Sequence, residues 1–284
     1  MLTRQAITKR ADQDGVTAVV AERDYVLAHV VGELHRAALA EGRHLVFKGG
    51  TAMRFVYLKD FRYSADLDFT ILGGNSADGI LALAPVIDAA REHTGLPHLE
   101  IVESRPPTVA YIGPLAAGKP RTIKLDIADD EHVETIDHRS MYTVWEDLPS
   151  PVPFNVYSLD EIAAEKLRCI IQRVQCRDLY DLHRLGDDLD VDFEQVAPLF
   201  ERKTERKGLD PRMFSDRFEA RIKTYRRKWD EEMSTHLGDR SSKHGILFHA
   251  CLLSSWGRYK LHAGLVLFLG TSFRSAEPVW CLCT

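Results

Sequence analysis

The chain has 284 residues, of which 45% are hydrophobic and 28% are charged, as in an ordinary globular protein. That length is enough for one large domain or two modest domains with a substantial core. The formal net charge of -5 argues against a uniformly basic nucleic-acid binder, so affinity for a polyanion would require a local basic patch. We expect no secretory signal and no membrane span, because no apolar run approaches roughly 18 residues. The cysteines lack paired C-x-x-C spacing, which disfavours structural zinc and disulfides and favours a cytoplasmic location.

The first part of the chain, residues 1–153, has the pattern of a mixed α/β domain. Apolar residues at helical spacing predict a first helix that ends before Gly42, and alternation predicts a strand beginning at Asp66. Helices are predicted over residues 22–41, 52–58 and 80–93. Strands are predicted over residues 45–47, 66–71, 101–102, 108–112 and 123–127.

The second part, residues 154–240, has the pattern of a helical domain. It follows a proline-rich segment, 149–153, that reads as a linker because proline removes backbone donors and breaks helices. Ser158 and Glu161 form a capping-box pattern at the start of its first helix. Helices are predicted from 158 to about 174, from about 177, and over 211–233. The remaining residues, 241–284, form a tail of different composition, which is either an appended or misread C-terminus or a native subdomain.

The strongest candidate for a catalytic site is the turn at residues 48–51 together with Asp66 and Asp68. Two aspartates spaced i and i+2 on a strand point to the same face, with Cα atoms about 6.5 Å apart. Carboxylates at that spacing can share two Mg²⁺ ions, which hold a triphosphate in line with its attacker. Each signal alone is common outside metal sites. Their combination in a strand–turn–helix–strand context favours phosphoryl or nucleotidyl transfer.

The turn at residues 48–51 is predicted to hold the phosphates of an NTP. Lys48 is one of the positive groups that such a transfer needs. Gly49 and Gly50 allow backbone N–H groups to approach phosphate oxygens, and Thr51 can donate its hydroxyl.

These residues resemble the first motif of the polymerase-β-like nucleotidyltransferase superfamily. The fuller strings F-K-G-G-T-A and R-Y-S-A-D-L-D-F are similar to the AbiEii/AbiGii branch, which contains the toxins of type IV toxin–antitoxin systems, among them mycobacterial toxins that modify tRNA. The resemblance covers about residues 24–230 and does not extend into the tail. It implies an α/β (α+β) fold, with a polymerase-β-like core and small mixed sheet followed by a helical C-terminal half. It also implies that Arg62 and Ser64 are neighbours of the metal site.

Three further residues carry over by this resemblance. Asp126, on the predicted strand 123–127, shares a strand face with Lys124 and would join Asp66 and Asp68 as a third metal-binding carboxylate; the alternative is a solvated strand aspartate. Lys166 would reach the triphosphate as a mobile charge, or else is a solvated helix lysine. Asp178 would orient Lys166 or the incoming base, unless it caps its helix.

The acceptor is indicated less directly. Between residues 201 and 228 there are 11 Lys and Arg against 5 acids, which suits an RNA backbone or, alternatively, a solvated helical face. The resemblance implies tRNA as the acceptor, Mg²⁺ as cofactor, an NTP as substrate and a cognate antitoxin as protein partner. Transfer to an antibiotic or a protein side chain, and a nucleotide-binding regulator without turnover, remain as alternatives.

Overall fold

The computed structural model describes residues 3–39, 42–115 and 118–238. The helices in this part of the chain are α1 (Arg4–Asp14), α2 (Ala18–Gly32), α3 (Gly49–Ala52), α4 (Ser76–Thr94), α5 (Leu159–Gln172), α6 (Cys176–Asp187), α7 (Phe193–Arg206) and α8 (Phe214–Leu237). The strands are β1 (His44–Lys48), β2 (Asp66–Leu72), β3 (His98–Val102), β4 (Thr108–Ile112), β5 (Arg121–Ala128), β6 (Ile136–Arg139) and β7 (Phe154–Tyr157). Shorter 3₁₀ or π turns cover Leu34–Arg36, Met53–Tyr57 and Pro211–Met213. The predicted tail, 241–284, lies outside the described residues.

The strands form one seven-stranded mixed sheet in the order β3-β4-β5-β2-β1-β7-β6. The pairs β2–β5 and β1–β7 are parallel, and the other neighbouring pairs are antiparallel. This arrangement confirms the predicted α/β class with a mixed sheet. None of the described helices has the length and apolar character required to cross a membrane.

Strands β2 and β5 have one buried face and one open face, because apolar and polar residues alternate along both. On the buried face, Leu67 pairs with Leu125 and Phe69 pairs with Ile127. Helix α4 covers this face so closely that a Cβ added at Gly79 would lie 2.7 Å from Ile127. The polar residues of both strands therefore lie on the opposite face.

Several predicted elements differ from the observed ones at their ends. Helix α2 ends at Gly32 rather than near residue 41, and the chain continues as a 3₁₀ turn. The short helix predicted at 52–58 begins earlier, at Gly49, and passes into a π turn. Helix α1 was not predicted, since only Ile7 and Ala11 of its residues are buried and no apolar stripe marks it.

Strands β6 and β7 were also missed. Both have four residues, too few to establish an alternating pattern, and β6 is a mostly exposed edge strand. Strand β7 lies on the helical side of the boundary predicted at residue 153, yet it pairs with β1 in the sheet. The sheet therefore extends at least to Tyr157, past that boundary.

The helices after β7 pack around α5, which contacts α6, α7, α8 and β7. The predicted cap is present, because the Ser158 side chain accepts the Glu161 N–H. The second half of the capping box is absent. The Glu161 carboxylate instead accepts the backbone N–H groups of Glu134 and Thr135 and forms a fully buried ion pair with Lys203 of α7.

We expect Glu161→Gln to lower the free energy of unfolding by about 3 kcal/mol, because it removes the nearer charge partner of the fully buried Lys203 ammonium and leaves only Glu165, at 3.8 Å. The matched control is Arg202→Gln on α7, the helix that carries Lys203. Arg202 pairs with Glu134 at the surface, and its loss should cost less than about 1 kcal/mol. Urea titrations of both variants check this, and equal losses would contradict it.

Candidate active site

The three predicted metal-binding carboxylates lie side by side on β2 and β5. In the parallel register, Asp68 is the partner of Asp126 and Asp66 is the partner of Lys124. Adjacent strands are about 4.8 Å apart, so the backbones of Asp68 and Asp126 are close neighbours. The Asp126 side chain is half exposed and opens into a cleft that all three carboxylates line.

Asp68 is the most strongly perturbed of the three. Burial and the neighbouring Asp66 carboxylate raise the pKa of the Asp68 carboxyl to about 6, although Lys48 opposes the rise. Carboxylates that repel one another in this way are stabilised by a cation placed between them. Their oxygen atoms are the donors that a hard divalent cation such as Mg²⁺ prefers.

Two of the carboxylates are held by basic side chains. Asp126 accepts a hydrogen bond from Lys124 at 3.2 Å, and Asp66 lies 3.6 Å from the Arg177 guanidinium. Accordingly, no three potential ligand side chains in the described part of the chain converge into a ready-made metal cage. The donor set fits Mg²⁺, but Lys124 and Arg177 would have to move aside for Asp66 and Asp126 to turn toward an ion.

Gly49 provides the space that Asp68 occupies. Its φ is +79°, and a Cβ there would overlap the Asp68 carboxylate and lie 3.1 Å from the Asp68 Cβ. Gly50 is constrained in the same way, since its Cβ would lie 2.5 Å from the Arg62 guanidinium. Both glycines line the cleft, where a phosphate could approach the backbone. The turn is therefore required for packing against Asp68 and Arg62, a reason that the sequence did not reveal.

Thr51 and Ser64 act on the backbone that leads into β2. The Thr51 hydroxyl donates to the Asp66 carbonyl and lies 2.8 Å from the Ser64 hydroxyl. Thr51 is fully buried and does not line the cleft, so in this structure its hydroxyl supports the backbone of β2; its contact with a phosphate stays a prediction. Ser64 does line the cleft, next to Asp66.

Arg62 and Lys166 share one carboxylate, that of Asp181. Asp181 accepts two hydrogen bonds from Arg62, at 2.6 and 2.8 Å, and its other neighbour is the Lys166 ammonium at 2.6 Å. Burial alone would raise the pKa of the Asp181 carboxyl, but Arg62 and Lys166 hold it well below its usual range. Asp181 was not singled out from the sequence, although it lies one helical turn after Asp178 on α6.

Asp178 completes this chain of charges. It accepts hydrogen bonds from Lys166 at 3.0 Å and from Arg173 at 2.9 and 3.0 Å, so it orients Lys166. It does not cap α6, whose first turn has no side-chain cap. Lys166 is 9% exposed and held by two aspartates, so it is not the mobile charge that the sequence predicted. It nevertheless lines the cleft.

Lys48 is fixed in a similar manner. Its ammonium lies 3.3 Å from Glu165 Oε1 and 5.5 Å from the centre of the Tyr157 ring. Burial disfavours the charge, but Glu165 raises the pKa of the Lys48 ammonium. In turn, Lys48, Lys203 and Arg168 overcome the effect of burial and lower the pKa of the Glu165 carboxyl to about 2. Both groups are charged at neutral pH.

The cleft has a volume of about 550 Å³, a size typical of small-ligand sites. Its lining is highly charged, and every predicted site residue except Thr51 and Asp178 contributes to it. The basic lining residues are Lys48, Arg62, Lys124, Lys166, Arg168, Arg173, Arg177 and Lys207. The acidic ones are Asp66, Asp68, Asp126, Asp129, Asp130, Glu131 and Glu165. Asp129, Asp130 and Glu131 were not singled out from the sequence, although they form a run of three acidic residues directly after β5.

The segment between the π turn and β2 is clamped on several sides, which fixes the position of Asp66. The Arg54 guanidinium forms a buried ion pair with Asp24 and donates to the Phe61 carbonyl at 2.6 Å. The Tyr63 hydroxyl donates to Asp14, and the Tyr63 backbone is bonded on both sides to His236. Helices α1, α2 and α8 therefore all hold this segment in place.

The chain is similar to known proteins in sequence and in fold. Residues 34–252 match the family described as "Nucleotidyl transferase AbiEii toxin, Type IV TA system". The structure is similar to MenT4, nucleotidyltransferase toxin Rv2826c from Mycobacterium tuberculosis H37Rv, with a TM-score of 0.54 and 24% identity, over 66% of this chain and 65% of that chain. A likeness to an antigenic nucleotidyltransferase-like protein from Paracoccidioides brasiliensis has a TM-score of 0.36 and 14% identity, over 58% of this chain and 75% of that one. No curated protein matches significantly.

The fold is similar to that of a nucleotidyltransferase toxin. The family match covers well over half of the chain, and the chain therefore belongs to the AbiEii nucleotidyltransferase toxin family of type IV toxin–antitoxin systems. This confirms the resemblance seen in the sequence. The match also includes residues 241–252, so the prediction that the whole tail lies outside the family is wrong for these residues.

We expect Gly49→Ala to weaken Mn²⁺ binding, measured with a non-hydrolysable NTP, by at least about tenfold, because the new Cβ displaces the Asp68 carboxylate. Gly42→Ala is the matched control, since Gly42 has the same φ of +79° but open space around it. Both variants should lose about 1–2 kcal/mol of stability from left-handed backbone strain. Unchanged Mn²⁺ binding by Gly49→Ala would refute the proposed role of this glycine.

We expect Asp68→Asn to stabilise the metal-free protein above pH 6. The pKa of Asp68 rises on folding, so its ionisation opposes folding as the pH passes from about 4 to 6. The stability difference should grow across that interval and stay level above it, at about 1–2 kcal/mol after allowance for partial exposure. Added Mg²⁺ should stabilise the wild type more than the variant. Denaturant titrations from pH 4 to 8 measure both effects, and a variant less stable at pH 7 would argue against this electrostatic account.

Proposed function

We propose that the chain is a metal-dependent nucleotidyltransferase that moves a nucleoside monophosphate from an NTP to a tRNA acceptor and acts as the toxin of a toxin–antitoxin pair. The observation that carries the proposal is the in-register pairing of Asp68 with Asp126, beside Asp66, at a cleft lined by eight basic side chains. Carboxylates that could hold divalent metal, in the same cleft as eight basic side chains, suit a triphosphate bound together with metal ions.

Each side chain has a distinct task in this reaction. Asp66, Asp68 and Asp126 would hold two Mg²⁺ ions, which neutralise phosphate charge and activate the acceptor hydroxyl. Gly49 and Gly50 leave their backbone open to the phosphates at the cleft wall. Lys48 and Lys166 provide fixed positive charge, since Glu165, Asp178 and Asp181 prevent either ammonium from swinging away.

The chemical step is an in-line displacement at the α-phosphorus. The oxygen of the acceptor hydroxyl forms a bond to the α-phosphorus, and the bond from that phosphorus to the bridging oxygen of the β-phosphate breaks. Pyrophosphate leaves with the electron pair of the broken bond. The hydroxyl proton passes to the Asp126 carboxylate, which is half exposed and faces the cleft.

A tRNA acceptor is supported by the family resemblance and by some of the basic residues between 201 and 228. Fewer of these residues are free to bind RNA than the sequence suggested. Among the 11 basic residues between 201 and 228, several are engaged within the protein; for example, Arg221 donates to the carbonyls at the end of α5. Those with internal partners are Arg202, Lys203, Lys207, Arg212, Arg221 and Lys228. Five exposed residues have no ion-pair partner among the described residues: Arg206, Arg217, Lys223, Arg226 and Arg227. These five residues could contact RNA phosphates. The protein partner of the toxin would be a cognate antitoxin, which would inhibit the enzyme.

We expect Asp126→Asn to abolish transfer of label from an α-labelled NTP to RNA, with a fall of at least about 10³-fold, while the fold is retained. Glu100→Gln is the control, because Glu100 is an exposed carboxylate on β3 of the same sheet and lies outside the cleft. Purified protein is incubated with each of the four NTPs and with total RNA, an aminoglycoside or a protein mixture. Label in RNA that requires Asp126 is the expected result.

Other outcomes would point elsewhere. Label in the antibiotic or the protein fraction alone would contradict the RNA acceptor and favour transfer to that substrate. Binding of Mg²⁺ and NTP without release of pyrophosphate, with every acceptor tested, would indicate a nucleotide-binding regulator without turnover.

A further inference from the structure

A second cavity, of about 380 Å³, lies beside the cleft, between the start of α6 and the last turns of α8. Its polar lining comes from Gln175 and Arg177 on one side and from Lys228, Glu232, Thr235 and His236 on the other. Arg177 lines both this cavity and the cleft. A ligand held in the second cavity would therefore lie next to the metal-binding carboxylates.

Arg177 joins the two cavities through its contacts. One end of its guanidinium lies 3.6 Å from Asp66, while its Nε donates to Gln175 Oε1 at 2.9 Å. The side chain is about a quarter exposed, so it retains donors for an anionic ligand. Nothing in the proposed transfer reaction requires Gln175, Lys228 or His236, which leaves the second cavity without a role.

His236 lines this cavity, and one of its ring nitrogens is available as a hydrogen-bond acceptor. Its Nδ1 lies 2.8 Å from the Tyr63 carbonyl, and because a carbonyl can only accept, Nδ1 carries the proton. Burial and the nearby Arg62 lower the pKa of the His236 imidazole to about 4, so the ring is neutral at pH 7. Its Nε2 then has a free lone pair, with no hydrogen-bond partner among the residues described.

The charges of the cavity suit an anion that also has a hydroxyl group. The Glu232 carboxylate is satisfied by the Cys176 N–H at 2.8 Å and by Lys228 at 3.2 Å. The Lys228 ammonium has three donors, so further N–H groups remain for a phosphate. Arg217 is exposed and lies three helical turns before Lys228 on the same face of α8, about 16 Å away. An RNA backbone that leads into the cavity along this face would pass Arg217.

We propose that this cavity binds the 3′-terminal ribonucleotide of a single-stranded RNA acceptor. Lys228 and Arg177 contact its phosphate, its 2′-hydroxyl donates to His236 Nε2, and its 3′-hydroxyl points past Arg177 toward Asp66. The inference rests on the proposed function, since it assigns the acceptor subsite of that reaction. A neutral histidine acceptor paired with two cations distinguishes ribose from deoxyribose, which a purely basic surface would not do.

The test uses a fluorescein-labelled five-nucleotide RNA and an otherwise identical oligonucleotide with a 2′-deoxy 3′-terminal residue. Fluorescence anisotropy without NTP or metal measures binding to the full chain. Wild type should bind the RNA end about fivefold more tightly than the deoxy end, the contribution of one hydrogen bond. His236→Ala should bind the two probes equally.

Lys228→Met provides a second, independent variant that does not disturb the contact of His236 with Tyr63. It should weaken binding of both probes about tenfold and reduce the salt dependence by about 0.7 in the log–log slope, the value for one phosphate contact. The matched control is Lys9→Met, since Lys9 is exposed on α1, away from the basic residues between 201 and 228, and lines neither cavity. Its effect should be within twofold.

The outcomes separate this inference from the proposed function. The inference is overturned if wild type binds neither probe, if His236→Ala retains the fivefold preference, or if Lys228→Met behaves as Lys9→Met. If the binding pattern is as expected but no NTP is ever consumed, the cavity binds RNA ends and the proposed function fails. If label reaches RNA while the variants bind as wild type does, the proposed function stands and this subsite is wrong.

Discussion

The site depends on one constraint of the sheet, the parallel pairing of β2 with β5 that places Asp68 directly beside Asp126. Like charges on directly opposed strand residues are unfavourable, and burial of Asp68 adds to the cost. The register is nevertheless fixed, because Leu67 and Phe69 must meet Leu125 and Ile127 on the opposite, buried face. Apolar packing on one face of the sheet thus holds the Asp68 and Asp126 carboxylates together on the other face, although they repel each other. A divalent cation bound between them would relieve that repulsion.

The helical half stabilises the positive side of the same site. A chain of alternating charges runs from Arg62 through Asp181, Lys166 and Asp178 to Arg173. Because all of these groups except Arg173 are almost fully buried, each charge depends on its neighbours, and removing one leaves another unpaired. This chain of charges joins the segment before β2 to helices α5 and α6. Movement of the helical half would therefore alter both the basic side chains and the position of Asp66.

The sequence allowed the central strands and the Asp66–Asp68 pair to be predicted because both are local patterns, whereas Asp126 was predicted from the family resemblance. Alternation in β2 and β5 follows from one buried face, and the Ser158 cap marks the start of α5. Strands β6 and β7 could not be recognised, since four residues contain too little periodicity and β7 is defined by its pairing with β1. The packing role of Gly49 and the burial of Thr51 and Lys166 depend on tertiary contacts, which no spacing in the chain reveals. His236 had no sequence signal, because its role arises from contact with Tyr63, far away in the chain.

The most direct test of the central claim is anomalous diffraction from crystals grown with Mn²⁺ and a non-hydrolysable NTP. The account predicts one or two manganese peaks coordinated by carboxylate oxygens of Asp66, Asp68 and Asp126, with Lys124 and Arg177 displaced from those carboxylates. Peaks only at Asp129, Asp130 or Glu131, or a bound triphosphate with no manganese near β2 and β5, would contradict it.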